Sequence, residues 1–185
     1  MKTQIGDIAQ IQTGVFAKPS GEGDLVYLQS KHFDELGCLQ TVLHPDLKSE
    51  GIAARHILQV GDVLFAAKGS KNFAAVFEDH NRPAVASTSF FVVKADTDRV
   101  LPQYLVWLLN SPAIQLSLKG QAIGTSIPSI SKQVLENLEV PLPELWVQEA
   151  VLHISNLRNK EMALQKRIEL LKEKRIQHLI YNAIK

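Results

Sequence analysis

One cysteine in 185 residues excludes an intrachain disulfide framework. Cys38 lies in the context Leu36-Gly37-Cys38-Leu39, with no His and no metal-ligand spacing around it. It reads as a partly buried small apolar residue, not as a nucleophile. No apolar run approaches the roughly 18 residues of a membrane span, and the start Met1-Lys2-Thr3-Gln4-Ile5-Gly6 lacks a signal-peptide core. A cytoplasmic protein without membrane association is expected. Six histidines (His32, His44, His56, His80, His153 and His178) show neither His-x-His nor i,i+4 pairing, so most read as surface or half-buried side chains and no metal site is indicated.

Motifs of nucleic-acid enzymes are also missing. Asn110-Ser111-Pro112-Ala113 is the nearest approach to an amino-methyltransferase motif, and it lacks the second Pro and the aromatic that would hold a flipped base. Pro45-Asp46 has no downstream Glu-x-Lys or Asp-x-Lys in the body to complete a metal-nuclease set. Gly120 to Ser126 superficially suggests a phosphate loop, but the spacing is short and the lysine is absent.

Composition is that of a folded globular protein, with 45% hydrophobic and 21% charged residues. The length suits one well-buried domain plus an appendage. The net charge of +1 is unevenly placed: residues 1–150 hold 12 Lys+Arg against 16 Asp+Glu, a net of −4, whereas residues 151–185 hold 8 against 3, a net of +5. A body this acidic binds phosphates only through locally clustered basic loops or with help from a partner.

Along the chain, Ile5 to Gly14 reads as a short strand or helical turn. An exposed loop rich in Pro and Gly follows, carrying Lys18. Leu25-Val26-Tyr27-Leu28 reads as a strand, and Gln29-Ser30-Lys31-His32-Phe33 as its end, presenting polar groups. The Gly61-Asp62 turn, the apolar run to Ala67, the polar stretch Lys68-Gly69-Ser70-Lys71-Asn72 and the apolar Phe73 to Phe77 have the syntax of a hairpin, with Gly69 free to take a positive φ. Val85 to Lys94 reads as one further core strand. Leu101 to Asn110, with Pro at a helix start, and Ala113 to Leu118 read as helical pieces. Lys119 to Lys132 reads as a Gly/Ser/Thr loop with a base at each end.

A Pro-punctuated apolar strand, Leu138-Glu139-Val140-Pro141-Leu142-Pro143, then leads past Gln148 into a helix-patterned arm. Val151, Ile154, Leu157, Leu164, Ile168 and Leu171 recur at three- and four-residue steps, interrupted by Glu161, before the stripe drifts to Ile176, Leu179, Ile180 and Ile184. This is a helix-pairing seam and not a strict long heptad repeat. Trp107 and Trp146 read as core and junction packing.

The order of these features over essentially the whole chain resembles specificity subunits of type I restriction-modification systems. The segments that carry the resemblance are the opening Ile5-Gly6-Asp7-Ile8 ending at Gly14, Gly61-Asp62-Val63-Leu64-Phe65 before a variable loop, the Ser-rich strand from Ser87 to Val93, Leu101-Pro102-Gln103-Tyr104-Leu105, and Pro141-Leu142-Pro143 with Gln148. The resemblance implies an α+β fold: a mixed or antiparallel-sheet target-recognition domain over 1–147, then a spacer and dimerisation helix over 148–185 that forms an intermolecular helix pair or coiled coil. Family members usually carry two of each, so a chain with one of each implies a half-subunit that homodimerises. Its half-sites would be the same sequence, inverted.

The resemblance further implies a non-catalytic subunit that reads double-stranded DNA. Modification methyltransferase subunits are the implied partners, and a restriction or translocase subunit is a further partner it allows. S-adenosylmethionine, Mg and ATP would then belong to those partners. Side-chain chemistry and loop position nominate Lys68, Ser70, Lys71 and Asn72 first as DNA contacts, Gln121, Thr125 and Ser126 second, and Lys18, Ser30, Lys31 and His32 third. Ile154, Leu157, Leu164, Ile168, Leu171 and Leu179 are the candidate dimerisation residues. A dimerising adaptor whose loops do not touch DNA stays open as the alternative, because a charged hairpin tip is usually a solvated turn.

Overall fold

The structure, a computed structural model, describes residues 2–34, 37–69, 72–78, 83–122 and 128–184. The chain divides into two compact units, Met1–Gln148 and Glu149–Lys185.

In the first unit the central layer is an antiparallel sheet in the order β2-β7-β4-β5, formed by β2 (Ala9–Thr13), β7 (Phe90–Ala95), β4 (Val63–Ala66) and β5 (Ala74–Val76). β4 is an unbroken apolar run, and all four of its residues are buried, as a strand covered on both faces requires. It pairs with β5 through Val63↔Val76, Leu64↔Ala75 and Phe65↔Ala74. The expected hairpin is therefore present, and Gly69 takes φ +121° at its tip.

Two small pairs complete the first unit: β3 (Val26–Leu28) runs parallel to β6 (Ala84–Ala86), and β1 (Lys2–Gln4) antiparallel to β8 (Glu139–Pro141). Phe73 and Phe90, buried in one core cluster, form an aromatic triangle with the partly buried Phe33 packed against it, with centroids 5.6 to 6.0 Å apart. Helices α1 (Pro102–Leu109) and α2 (Pro112–Gln121) both start on proline, whose fixed φ suits the first helical turn. Asn110, which ends α1, accepts from the Ala74 amide and donates to the Ala74 carbonyl, at 2.8 and 2.9 Å. Its side chain acts as a one-residue strand along the β5 edge.

Three expectations about these elements are corrected, and one left open is resolved. The segment 85–94 is two strands in different sheets, because Ser87 and Ser89 turn the chain between them. Their hydroxyls lie 2.6 Å apart, and Phe90 N donates to Ser87 O, a local bonding pattern that competes with a continuous ladder. The end of β3 is a 3₁₀ turn, Ser30–His32, held by reciprocal bonds between Gln29 and His32. The opening segment combines both readings, a 3₁₀ turn at Ile5–Asp7 and then β2. The loop expected from Lys119 is still helical to Gln121, and α3 (Lys132–Glu136) starts from Ser131, whose hydroxyl accepts from Val134 N at 3.2 Å.

α4 (Leu145–Ala183) is one helix of 39 residues, about 58 Å long at 1.5 Å per residue. Gln148 in its first turns is fully buried and has three bonds: its Oε1 accepts from Leu101 N at 2.9 Å, and its Nε2 donates to Arg99 O and Pro143 O at 2.9 and 2.8 Å. A buried amide needs such a set to offset desolvation. Trp146 is 70% exposed, which corrects its assignment to junction packing, and Trp107, 37% exposed, stacks on the buried Tyr104 at the edge of the core. Cys38 is exposed, against the expectation of partial burial; desolvation and the Asp34 carboxylate push its thiol pKa up, away from thiolate reactivity. Along the second unit, Ile154, Leu157, Leu164, Ile168, Leu171 and Leu179 are all exposed. No described helix is long and apolar enough to cross a membrane.

Candidate nucleic-acid interface

Chain crossings that sequence spacing does not reveal bring distant polar loops to one place. Gly14 passes directly over the Ser87 turn: a Cβ there would lie 2.1 Å from Ser87 O and 2.5 Å from Ala86 O. Only glycine permits that approach. The Val15 amide then donates to Ala86 O at 2.8 Å, and the Tyr27 hydroxyl donates to Val15 O at 3.0 Å while accepting from Ala17 N at 3.3 Å. This ties the loop that carries Phe16 and Lys18 to the end of β6. Ser87 N donates to Leu28 O at 2.8 Å, which brings the Ser30–His32 turn beside it.

Ala67 joins the third and fourth segments. Its amide donates to Ser89 O and its carbonyl accepts from Ile130 N, both at 2.9 Å, and Gly69 N donates to Pro128 O at 3.0 Å. Lys68, bridged to Ser129, is thereby set between the Ser87 turn and the end of the Gly/Ser/Thr loop.

The result is an open groove of about 320 Å³ lined by Phe16, Ala17, Tyr27, Gln29, Ser30, Lys31, Lys68, Ser87, Thr88 and Ser89. Two lysines and five hydroxyl residues line it, and among the described residues no carboxylate does. It is a local cationic patch on an acidic body, the condition phosphate binding imposes here. A second depression, about 370 Å³, is lined by Asp7, Asp96 and Lys94 among others. Its two acids suit an anionic polymer poorly, and Lys94 is engaged 3.8 Å from Asp62. Burial pushes the Asp62 carboxyl up, opposed by the Gln59 amide and by Lys94; this residue closes the turn before β4 and does not line the cationic groove.

The nominated residues fall into three sets. Ser30, Lys31 and Lys68 meet in the groove, with exposed Lys18 next to its Ala17 wall. His32, Asn72 and Gln121 have their side chains engaged locally. The His32 Nδ1 accepts from Gln29 N at 3.2 Å, and burial, with Lys31 beside it and against the pull of Asp46, holds its pKa below the usual histidine value. The Asn72 amide donates to Ala66 O at 2.8 Å, and reading adenine bidentately would compete with that bond. The Gln121 amide lies 3.4 Å from Ser117 O at the end of α2. Ser70, Lys71, Thr125 and Ser126 lie outside the described residues.

Phe16, Gln29 and the Ser87-Thr88-Ser89 turn were not foreseen as lining this groove. The available signals were a lone aromatic in a loop punctuated by Pro and Gly, and three consecutive hydroxyls interrupting an apolar strand. Among the described residues no group of three His, Cys, Asp or Glu is placed to hold a metal ion.

Fold and site define a class: a mixed α+β domain with a cationic, hydroxyl-lined groove, continued by a long helix. The type I restriction modification DNA specificity domain matches residues 1–173, and the chain belongs to that family. It is 29% identical over 139 residues to the type I restriction enzyme MjaVIII specificity subunit of Methanocaldococcus jannaschii, covering 70% of this chain and 32% of that protein.

Solved structures share the fold. The S subunit of a type I restriction-modification system from M. genitalium matches with a TM-score of 0.61 at 14% identity, covering 86% of this chain and 39% of that one. The HsdS subunit from Thermoanaerobacter tengcongensis matches with a TM-score of 0.58 at 23% identity, covering 92% and 46%. A chain from a study of complex assembly and conformational transition in a type I system reaches a TM-score of 0.67 at 19% identity, covering 97% and 43%. The chain thus spans about a third of the curated relative and less than half of each solved chain.

Proposed function

We infer that this chain is the non-catalytic DNA-recognition component of a type I restriction-modification system, and that the groove between Lys31 and Lys68 is where it meets duplex DNA. The observation that carries the reading is the convergence of four separate segments on one patch of an otherwise acidic unit where, among the described residues, no carboxylate lines the surface. Lysines there neutralise phosphates or reach guanine edges, and hydroxyls serve either role.

The arm pairs with that of a second copy. An exposed apolar stripe of Ile154, Leu157, Leu164, Ile168, Leu171 and Leu179 supports this, since a helix partner would remove it from water. Two-fold symmetry then presents two grooves to inverted copies of one half-site. Modification methyltransferase subunits supply the S-adenosylmethionine chemistry, and a restriction subunit, where present, supplies ATP hydrolysis. The assembly works in the cytoplasm.

Mapping methylated adenines in cells that co-express the chain with methyltransferase subunits tests the reading. It predicts one bipartite inverted sequence, lost in Lys31→Ala/Lys68→Ala while the dimer persists on sedimentation. Unchanged methylation by that variant would point to a dimerising adaptor whose loops do not read DNA.

A further inference from the structure

Among the residues that line the groove, Phe16 is unlike the rest. It is 78% exposed, more than any other large apolar side chain among the described residues. An isolated exposed apolar residue needs no explanation in general. Phe16 differs because the backbone on both sides of it is pinned: Val15 is bonded to Ala86 and to the Tyr27 hydroxyl, and Ala17 to that same hydroxyl. The loop does not bury the ring; it displays it. Lys31, Lys68, Ser30 and Thr88 line the same groove.

We propose that Phe16 is a specificity-determining residue that packs on the 5-methyl group of a thymine in the major groove of the target half-site. This rests on the reading of the groove as the DNA interface. Base edges in the major groove offer donors, acceptors and a single apolar feature, the thymine methyl, which phenylalanine contacts favourably. The lysines and hydroxyls of the groove anchor to phosphates and polar base edges and so fix its register on the duplex. A phenylalanine can neither donate to nor accept from a base edge, so in direct readout of an intact major groove its contact falls on the thymine methyl.

The test uses the full chain and a duplex carrying the sequence that the co-expressed assembly methylates. Each thymine of one half-site is replaced in turn by deoxyuridine, which lacks only the methyl group, and binding is followed by fluorescence anisotropy. One position is expected to lose about four-fold in affinity for the wild-type chain, the equivalent of one methyl group left in water. The same replacement leaves Phe16→Ala binding unchanged, and Phe16→Leu, which keeps an apolar contact, retains part of the discrimination. The proposal is overturned if no thymine shows the loss, if the loss persists in Phe16→Ala, or if Phe16→Ala weakens thymine and deoxyuridine duplexes alike. Loss of binding in Lys68→Ala with no thymine effect overturns the role of Phe16 alone. A wild-type chain that holds target and scrambled duplexes equally overturns the DNA reading and this inference together.

Discussion

Replacing Gln148 should destabilise the first unit more than any surface change. Its amide makes three bonds from full burial, to Leu101 N, Arg99 O and Pro143 O. Gln148→Ala deletes all three and leaves one donor and two acceptors facing a small void. Each bond contributes roughly 0.5–1.5 kcal/mol net, and a buried group left unsatisfied costs about 1–3 kcal/mol, so a loss of about 3–5 kcal/mol follows after partial rehydration. Against a total stability of roughly 5–15 kcal/mol that is a large fraction. Urea unfolding followed by far-UV circular dichroism should show the midpoint falling by about 1.5–2.5 M, taking a slope of roughly 2 kcal/mol/M. Gln148→Glu sharpens the test, because an ionised carboxylate cannot donate to the Arg99 and Pro143 carbonyls. It should be worse than Ala at neutral pH and recover on acidification, since the folded variant binds the proton more tightly than the unfolded chain and so gains stability as the pH falls. A Gln148→Ala midpoint within 0.3 M of wild type would refute the reasoning.

Other outcomes follow from the same structure. His32 is held neutral in the folded chain, so its folded pKa lies below the unfolded one. The stability it contributes is complete above the ordinary histidine value of about 6.5 and is lost as pH falls through the folded pKa; His32→Gln should flatten that part of the stability profile from pH 7 to 5. Gly14→Ala would put a Cβ 2.1 Å from Ser87 O; a cost of about 1–3 kcal/mol or more and a displaced Phe16 loop are expected, visible in thermal unfolding and in weaker DNA binding. Inserting seven residues after Leu171 lengthens the arm by about 10.5 Å, and the gap between methylated half-sites should widen by about 3 base pairs with the half-sites unchanged. Retention of the original gap would argue against the arm as the ruler.

Local rules made much of the scaffold legible. Pro102 and Pro112 mark the helix starts, and the apolar–polar–apolar order around Gly69 marks the β4–β5 hairpin. The apolar run from Val63 to Ala66 marks a strand buried on both faces. Ser87 and Ser89 were harder to read, because β-branched and aromatic neighbours favour a single strand and only the hydroxyl pair betrays the turn. His32 and Asn72 have side chains suited to DNA contact, yet both are engaged in closing their own turns, which composition cannot reveal. The groove itself depends on pairings between residues far apart in sequence, Val15 with Ser87 and Lys68 with Ser129. No periodicity encodes those crossings, so Lys31 and Lys68 could be nominated separately but not joined.

The salt dependence of DNA binding tests the role of the groove most directly. The logarithm of the binding constant for the target duplex is measured against the logarithm of salt concentration, for the wild-type chain and for Lys31→Ala/Lys68→Ala. Each phosphate neutralised contributes about 0.9 to the slope, so the double variant should be shallower by about 1.8 per half-site, or about 3.6 for a dimer on both half-sites, with an unchanged thermal midpoint. Parallel lines for the two proteins would mean that DNA does not lie in this groove.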